Sequence, residues 1–312
     1  MTPKERTRLI ITGSVLLWLV CLSIFLTQSR FERSLIFTQF ATGAKLDDIR
    51  IKFIKDSSEI PEITTDSVLY VLDTLNKDSL FIVNDIPERF SLHEYTPEVQ
   101  SQGLLPSCVS WSSAYAGLTI LKRIELGNSS HPPFDPMDLH ARLKKLAQES
   151  TCHPTSGAYI AFALNLLRNK GCPTLRGEVA ECQNINPSVD TQYPETLFAF
   201  ESIDFTDISM IKKAIANKMP IVFGIKCYKG NDWKTAIFDE SGVWNGHYTG
   251  GISDTGHAMC LIGFDDNLSG GAFEIMNSWS QDWGKNGFFW IKYTDFQRHV
   301  DEAFALYANK RK

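Results

Sequence analysis

Residues 102–108 read QGLLPSC and lead directly into a long apolar segment that ends at Leu126. Ser107 is a residue type that favours the position just before a helix, and Gly127 with Asn128 favours helix termination. The pattern therefore predicts a helix from Ser107 to Leu126. Its apolar positions go most of the way round, which is typical of a helix that is buried on all sides. Cys108 then lies in the first turn of a buried helix.

A cysteine at this position has the properties of a nucleophile. The helix dipole and the free N–H groups of the first turn favour the thiolate, which is the form that acyl transfer requires. Gln102 lies shortly upstream, and its amide is a plausible donor to a developing oxyanion, with the backbone N–H of Cys108 as second donor. The alternative is a small buried apolar residue without chemistry.

His257 and Asn277 complete a candidate catalytic set. His257 enters the predicted strand Ala258 to Phe264, where its imidazole can reach a helix packed on the sheet and act as general base and acid. Asn277 begins an Asn-Ser-Trp sequence beyond the next turn, and its carbonyl can orient the ring. Trp279 can shield that hydrogen bond from water. The alternative interpretation is a hydrogen-bonded core histidine and a turn asparagine.

The apolar periodicity changes along the chain. Further helices are predicted after Asp135-Pro136, from Gly157 to Asn169 and after Asp207. Later segments alternate like strands: Ile221 to Cys227, Ala258 to Phe264, Ala272 to Met276, Phe288 to Tyr293 and Ala303 to Tyr307. Helices followed by strands favour an α+β domain with segregated layers.

Three motifs in this order resemble the papain family of cysteine peptidases, most closely its bacterial-type members. The motifs are QGLLPSC at 102–108, GHA at 256–258 and NSWSQDWGKNGFF at 277–289. The resemblance covers about Ile86 to Tyr307. It implies a papain-like fold with a helical left subdomain carrying Cys108 and a β-barrel-like right subdomain carrying His257 and Asn277. It also implies that Gln102 lines the oxyanion hole and that Trp279 covers the His–Asn pair.

The chain departs from the family pattern at several positions. Val109 replaces the tryptophan that often follows the nucleophile, and Leu105 replaces a disulfide cysteine. Ser156-Gly157-Ala158 stands where the family has a glycine strip that binds substrate backbone. Gly157 is therefore a candidate substrate-contacting residue, and Trp279 is the second candidate. The segment from Lys229 to Thr255 is a longer loop than papain has.

The N-terminal segment predicts a membrane anchor. No charged residue occurs between Arg8 and Arg30, and Leu9 to Leu26 is rich in Leu, Ile, Val, Trp and Phe. A bilayer-spanning helix needs about 20 such residues. The flanking charges favour a cytoplasmic N-terminus, which puts the rest of the chain outside the cytoplasm. A cleaved signal peptide, which would give a secreted protein, is the alternative.

We therefore expect residues 1–29 to be the anchor or signal, residues 30–85 a membrane-proximal stem or short prosegment, and residues 86–312 the peptidase domain. Cys152, Cys172, Cys182 and Cys227 are candidates for one or two disulfides in an oxidising compartment, with Cys152–Cys182 as the first choice. None of these cysteines has metal-site spacing.

Composition limits the remaining function classes. The 312 residues carry 31 Lys and Arg against 36 Asp and Glu, a net charge of −5, without a basic cluster. Nucleic-acid binding therefore has no electrostatic basis. We expect a peptide or protein substrate, no metal and no organic cofactor, and the sequence leaves the oligomeric state open.

The sequence thus predicts a membrane-anchored cysteine endopeptidase. The alternatives are a catalytically silent peptide-binding or scaffolding protein on the same fold, and a transpeptidase or amidase that uses the same thioester chemistry.

Overall fold

The computed structural model describes residues 85–153, 157–228, 236, 238–246 and 252–308, with only the backbone described at 228 and 252–255. The predicted anchor and nearly all of the predicted stem lie outside these residues. So do about half of the residues of the long loop that was expected between Lys229 and Thr255. Within the described part of the chain, no helix is both long and apolar enough to cross a bilayer.

The central helix, α1, consists of three consecutive segments, Cys108–Ser110, Trp111–Leu118 and Thr119–Leu126, the middle one being π-helical. Every residue from Val109 to Leu121 is buried, as the sequence predicts. Ser107 precedes the helix, although its hydroxyl does not cap the first turn. Gly127 ends the helix in the left-handed conformation that glycine adopts most easily.

The other helices begin at predicted caps. Helix α2, Pro136–Leu146, begins after Asp135, whose carboxylate accepts from the N–H groups of Met137 and Asp138. Helix α4, Ile208–Ala216, begins after Asp207 in the same way. Helix α3, Ile160–Lys170, begins three residues later than predicted, because 157–159 are extended or irregular. Helix α5, Tyr293–His299, is short and was not predicted.

The strands form one antiparallel sheet with the order β2-β7-β3-β4-β5-β6, and β1 pairs with β4. Their bounds are β1 Arg89–Ser91, β2 Ala199–Ser202, β3 Ile221–Tyr228, β4 Ile252–Asp265, β5 Ala272–Met276, β6 Phe288–Lys292 and β7 Val300–Tyr307. All five predicted strands are present. This antiparallel sheet carries His257 on β4, and Asn277 directly follows β5.

Two apolar clusters stabilise this arrangement. One surrounds the sheet and includes Phe223, Leu261 and Phe289. The other joins α1, α2 and α3 to the sheet through Val222, Ala258 and Phe304. Since Ala258 follows His257 and belongs to the second cluster, the start of α1 packs against the part of β4 that carries the histidine.

Candidate active site

His257 and Asn277 form a buried hydrogen-bonded pair. His257 Nε2 lies 2.8 Å from Asn277 Oδ1, and both residues are almost inaccessible to solvent. The backbone N–H of Ser278 also donates to Asn277 Oδ1 at 2.8 Å. Because a backbone N–H can only donate, the atom it meets must be the amide oxygen. His257 Nε2 must then carry a proton and donate it, which leaves Nδ1 as the basic nitrogen.

Trp279 covers this pair as expected. Its ring stacks on the imidazole of His257 with centroids 4.4 Å apart and an interplanar angle of 22°. Trp283 meets Trp279 edge-on at 5.4 Å and holds it in place. The two indoles exclude water from the His–Asn hydrogen bond, which makes that bond stronger than it would be in solvent.

The loop that carries Asn277 requires glycine at 287. Gly287 has φ +85°, and its carbonyl accepts from the N–H of Asn277 at 3.1 Å. A Cβ at this position would lie 2.3 Å from Val99 Cγ1. The tight return after Trp283 therefore depends on a residue without a side chain.

Cys108 lies at the start of α1 beside β4. Backbone N–H groups of Ala258, Val109 and Cys108 itself favour its thiolate, and so does the charge of Lys144. Burial acts in the opposite direction and is the larger effect, so the pKa of the Cys108 thiol is raised. The N–H groups of the first turn thus favour the thiolate, but burial outweighs them. Ionisation of Cys108 needs a proton acceptor in the same site.

Gln102 is held on two sides. Its backbone N–H donates to Ser278 O at 2.9 Å, and its Nε2 donates to Leu105 O at 2.9 Å. The hydroxyl of Ser278 donates to Gln102 Oε1 at 2.7 Å. The side chain is only partly buried, so the second Nε2 hydrogen has room to face solvent or substrate.

The two catalytic segments are also joined through the backbone. Ser101 pairs with Trp279 in an isolated antiparallel bridge, and the N–H of Ser280 donates to Gln100 O at 3.2 Å. The loop before Cys108 is therefore attached to the segment that carries Asn277. The structure thus brings Gln102, Asn277 and Trp279 together, with Cys108 next to the strand of His257.

Gly157 is exposed and lies just before α3. Its neighbour Ala158 packs on the same apolar cluster as Cys108, so the segment lies beside the helical half of the site. The carbonyl of Gly157 accepts from Lys144 Nζ.

The sequence did not predict roles for two residues of this site, Ser278 and Lys144. Ser278 belongs to the Asn-Ser-Trp motif, but its hydrogen bond to Gln102 joins positions that are far apart in the chain. Lys144 is a lysine, a residue type that is rarely buried, and the following Lys145 is exposed. Across the described ranges, no cluster of three or more His, Cys, Asp or Glu has the arrangement to hold a metal ion.

Comparison with known proteins identifies the domain. Residues 156–305 match the model of the papain family cysteine proteases. The chain carries a papain-family cysteine protease domain. The match covers His257 and Asn277, whereas Gln102 and Cys108 lie before it.

Relatives and solved structures agree with this assignment. The chain is 25% identical over 259 residues to an uncharacterized peptidase C1-like protein of Acanthamoeba polyphaga mimivirus, covering 79% of this chain and 78% of that one. It spans about a third to a half of the plant cysteine proteases that it also matches.

The fold is papain-like. It is similar to xylellain, a cysteine protease from Xylella fastidiosa, with TM-score 0.55, 19% identity and coverage of 82% of this chain and 93% of that one. It is also similar to the bromelain protease from Ananas comosus in complex with the E64 inhibitor, with TM-score 0.53, 13% identity and coverage of 72% and 100%. At these identities the likeness concerns the fold.

Proposed function

We propose that the papain-family domain hydrolyses peptide bonds with Cys108 as nucleophile, His257 as general base and acid, and Asn277 as the residue that orients His257. The observation that carries the proposal is the Asn277 amide oxygen, which accepts from both Ser278 N–H and His257 Nε2. That arrangement leaves Nδ1 of His257 as the basic nitrogen. Ala258, the next residue in the chain, contacts Cys108 through its backbone N–H.

Acylation begins with a proton transfer from Cys108 Sγ to His257 Nδ1. The buried thiol ionises unfavourably alone, so the imidazolium that forms is its compensating charge. The thiolate attacks the carbonyl carbon of the scissile peptide bond, and the carbonyl oxygen becomes an oxyanion. His257 then returns the proton to the leaving amine as the C–N bond breaks, and a thioester remains on Cys108.

Deacylation follows the same path with water. His257 takes a proton from the attacking water, the tetrahedral intermediate collapses, and the proton goes back to Cys108 as the carboxylic acid leaves. Gln102 Nε2 and the backbone N–H of Cys108 are the proposed oxyanion donors. The two bonds that hold the Gln102 amide support this role, because a donor fixed beforehand needs no reorganisation during the reaction.

We place the substrate between the helical part and the sheet, with Gly157 and Trp279 on its two sides. The accessible backbone of Gly157 supports a contact with extended peptide. The bromelain complex with the E64 inhibitor supports a peptide-like ligand by fold analogy. We also propose that the domain functions outside the cytoplasm, anchored by residues 9–26. The Cys152–Cys182 disulfide supports an oxidising compartment.

The decisive test is hydrolysis of an unstructured protein such as casein by the full chain. Cys108→Ala is expected to abolish hydrolysis, whereas Cys227→Ala, at another partly buried cysteine outside the disulfide, is expected to retain it. Full activity of Cys108→Ala would overturn the proposal. Peptide binding without products in the wild-type protein would favour the scaffolding alternative. Transfer of the acyl group to added amines in preference to water would favour a transpeptidase.

A further inference from the structure

We propose that Lys144 is a positioning residue of the active site, whose buried ammonium holds the Gly157 carbonyl and places a positive charge beside Cys108. This inference rests on the proposed function, since it assigns Lys144 a role toward the nucleophile and toward the segment that contacts substrate.

The burial of Lys144 needs an explanation. Its side chain is 1% exposed, and α2, which carries it, packs against both α1 and α3. Lysine is among the residues least often fully buried, because removing an ammonium group from water is costly unless it is paired. The neighbouring Lys145 keeps its side chain at the surface and donates to Pro187 O at 2.6 Å.

The described contacts of the ammonium group reach two parts of the site. Nζ donates to Gly157 O, and it forms an ion pair with Glu149 Oε2 at 3.2 Å. Cys108 at the start of α1 lies near enough for the two charges to interact. The Lys144 side chain thus connects the start of α1, which carries Cys108, with Gly157 before α3.

The hydrogen bond to Gly157 fixes the orientation of one peptide unit. When Lys144 holds the carbonyl on the protein side, the rest of the exposed Gly157 backbone stays in one conformation for an incoming peptide. A glycine without this restraint has more backbone freedom than any other residue, and ordering it would reduce the affinity for substrate.

The charge acts on Cys108. Burial raises the pKa of the thiol, and Lys144 is the charged side chain that opposes this rise. Burial also lowers the pKa of Lys144, and Glu149 opposes that change. His140, one turn earlier on α2, also faces this group, and burial lowers the pKa of its imidazole. From α2, the charge that acts on Cys108 is that of Lys144, which Glu149 partly balances. In the proposed mechanism His257 acts on Cys108 from β4, and it is unchanged in the Lys144 variants.

Alkylation of Cys108 by iodoacetamide as a function of pH tests the inference in the full chain. We compare Lys144→Met, which removes both the charge and the hydrogen bond, with Lys144→Gln, which keeps a donor but removes the charge. Lys145→Met is the matched control. The readouts are the midpoint of the alkylation profile, kcat and KM for one peptide substrate, and circular dichroism as a measure of folding.

We expect the midpoint to rise by about one pH unit in both Lys144 variants, so that alkylation below the midpoint is about tenfold slower. KM is expected to rise several-fold in Lys144→Met and to recover partly in Lys144→Gln. Lys145→Met is expected to match the wild-type protein in every readout.

Folded Lys144 variants with the wild-type profile and KM would overturn the inference. So would loss of folding in both Lys144 variants while Lys145→Met folds, because Lys144 would then be purely structural. If the wild-type protein hydrolyses no peptide, the proposed function itself fails, and that failure is visible before any variant is made.

Discussion

At the scale of single residues, one amide oxygen decides the chemistry of the site. Asn277 Oδ1 accepts from Ser278 N–H and from His257 Nε2, both at 2.8 Å. The backbone donor fixes the orientation of the amide, and the amide fixes the tautomer of the imidazole. Trp279 then stacks on the ring and keeps water from competing for the same oxygen.

Asn277→Ala should therefore lower kcat by about 100-fold, because the imidazole loses the partner that orients it toward Cys108. The kinetic constants are measured with a peptide substrate. Asn184→Ala, at an exposed asparagine, is the control and should leave kcat unchanged. A kcat within twofold of wild type in folded Asn277→Ala would show that Asn277 does not position the ring.

The carboxyl group of Glu302 is expected to make stability depend on pH. Burial, and to a smaller extent Asp301, raises its pKa from 4.5 to about 7. Glu302 and Asp301 both lie close to Gly224 of β3, since a Cβ at Gly224 would be 3.0 Å from Glu302 Cγ and 3.1 Å from Asp301 Oδ1. The folded-state pKa is above the unfolded value, so its stabilising contribution is complete below pH 4.5 and is lost as pH rises through about 7.

Glu302→Gln should flatten this decline between pH 4.5 and 7, by at most about 3 kcal/mol in the free energy of unfolding. Urea unfolding at several pH values gives the measurement, with Glu178→Gln at an exposed carboxylate as control. An equally steep decline in both variants would show that Glu302 is not its source.

At the scale of secondary-structure elements, local signals predicted what local interactions determine. Asp135 and Asp207 cap their helices through side-chain hydrogen bonds, and Gly127 ends α1 in the left-handed conformation. The strand pattern from Ile221 onward identified the sheet because alternation of apolar residues is a property of each strand by itself.

Elements that depend on distant partners were missed. The three-residue strand β1 exists because it pairs with the end of β4, and β2 because it pairs with β7. Helix α5 carries few apolar positions and follows β6 without a break. In the site, the residues of the three motifs were predictable from the sequence. The position of Lys144 near Cys108 was not, because it results from the packing of α2 against α1 and leaves no local sequence pattern.

The Cys152–Cys182 disulfide was the first choice among the possible pairs, and the structure contains it, with Cα atoms 5.2 Å apart. It closes a loop with a sequence separation of 30 residues. Closing a loop of this size in the unfolded chain is worth about 3–4 kcal/mol. The bond joins the segment after α2 to the short 3₁₀ turn Cys182–Asn184.

Replacing both cysteines by serine should lower the free energy of unfolding by about 3–4 kcal/mol. Guanidinium unfolding of the double variant and of the wild type, each with and without reductant, gives the comparison. The wild type should become as unstable as the variant only when reduced. Equal stability of all four samples would mean that the bond does not form or does not constrain the chain.

At the scale of the whole molecule, the N-terminal segment is expected to determine where the protease works. The full chain should sediment with membranes and resist extraction at alkaline pH. Replacing Leu17 and Leu19 by arginine should release it, because each charge in the centre of a span costs about 2.5–3.5 kcal/mol.

The matched control is Leu126→Arg with Leu146→Arg, which adds the same charges at exposed leucines of the domain. This control should stay in the membrane fraction. Wild-type protein that remains in the supernatant as an intact chain would contradict the anchor.

The central claim is that Cys108 and His257 act as a coupled pair. The most direct measurement is labelling of the full chain with a peptide epoxide that targets papain-like thiols, with the modified residue mapped by mass spectrometry. Our account predicts one label, on Cys108, that is lost in His257→Ala although the variant stays folded. Labelling of Cys227 in preference to Cys108, or equal labelling of Cys108 with and without His257, would contradict it.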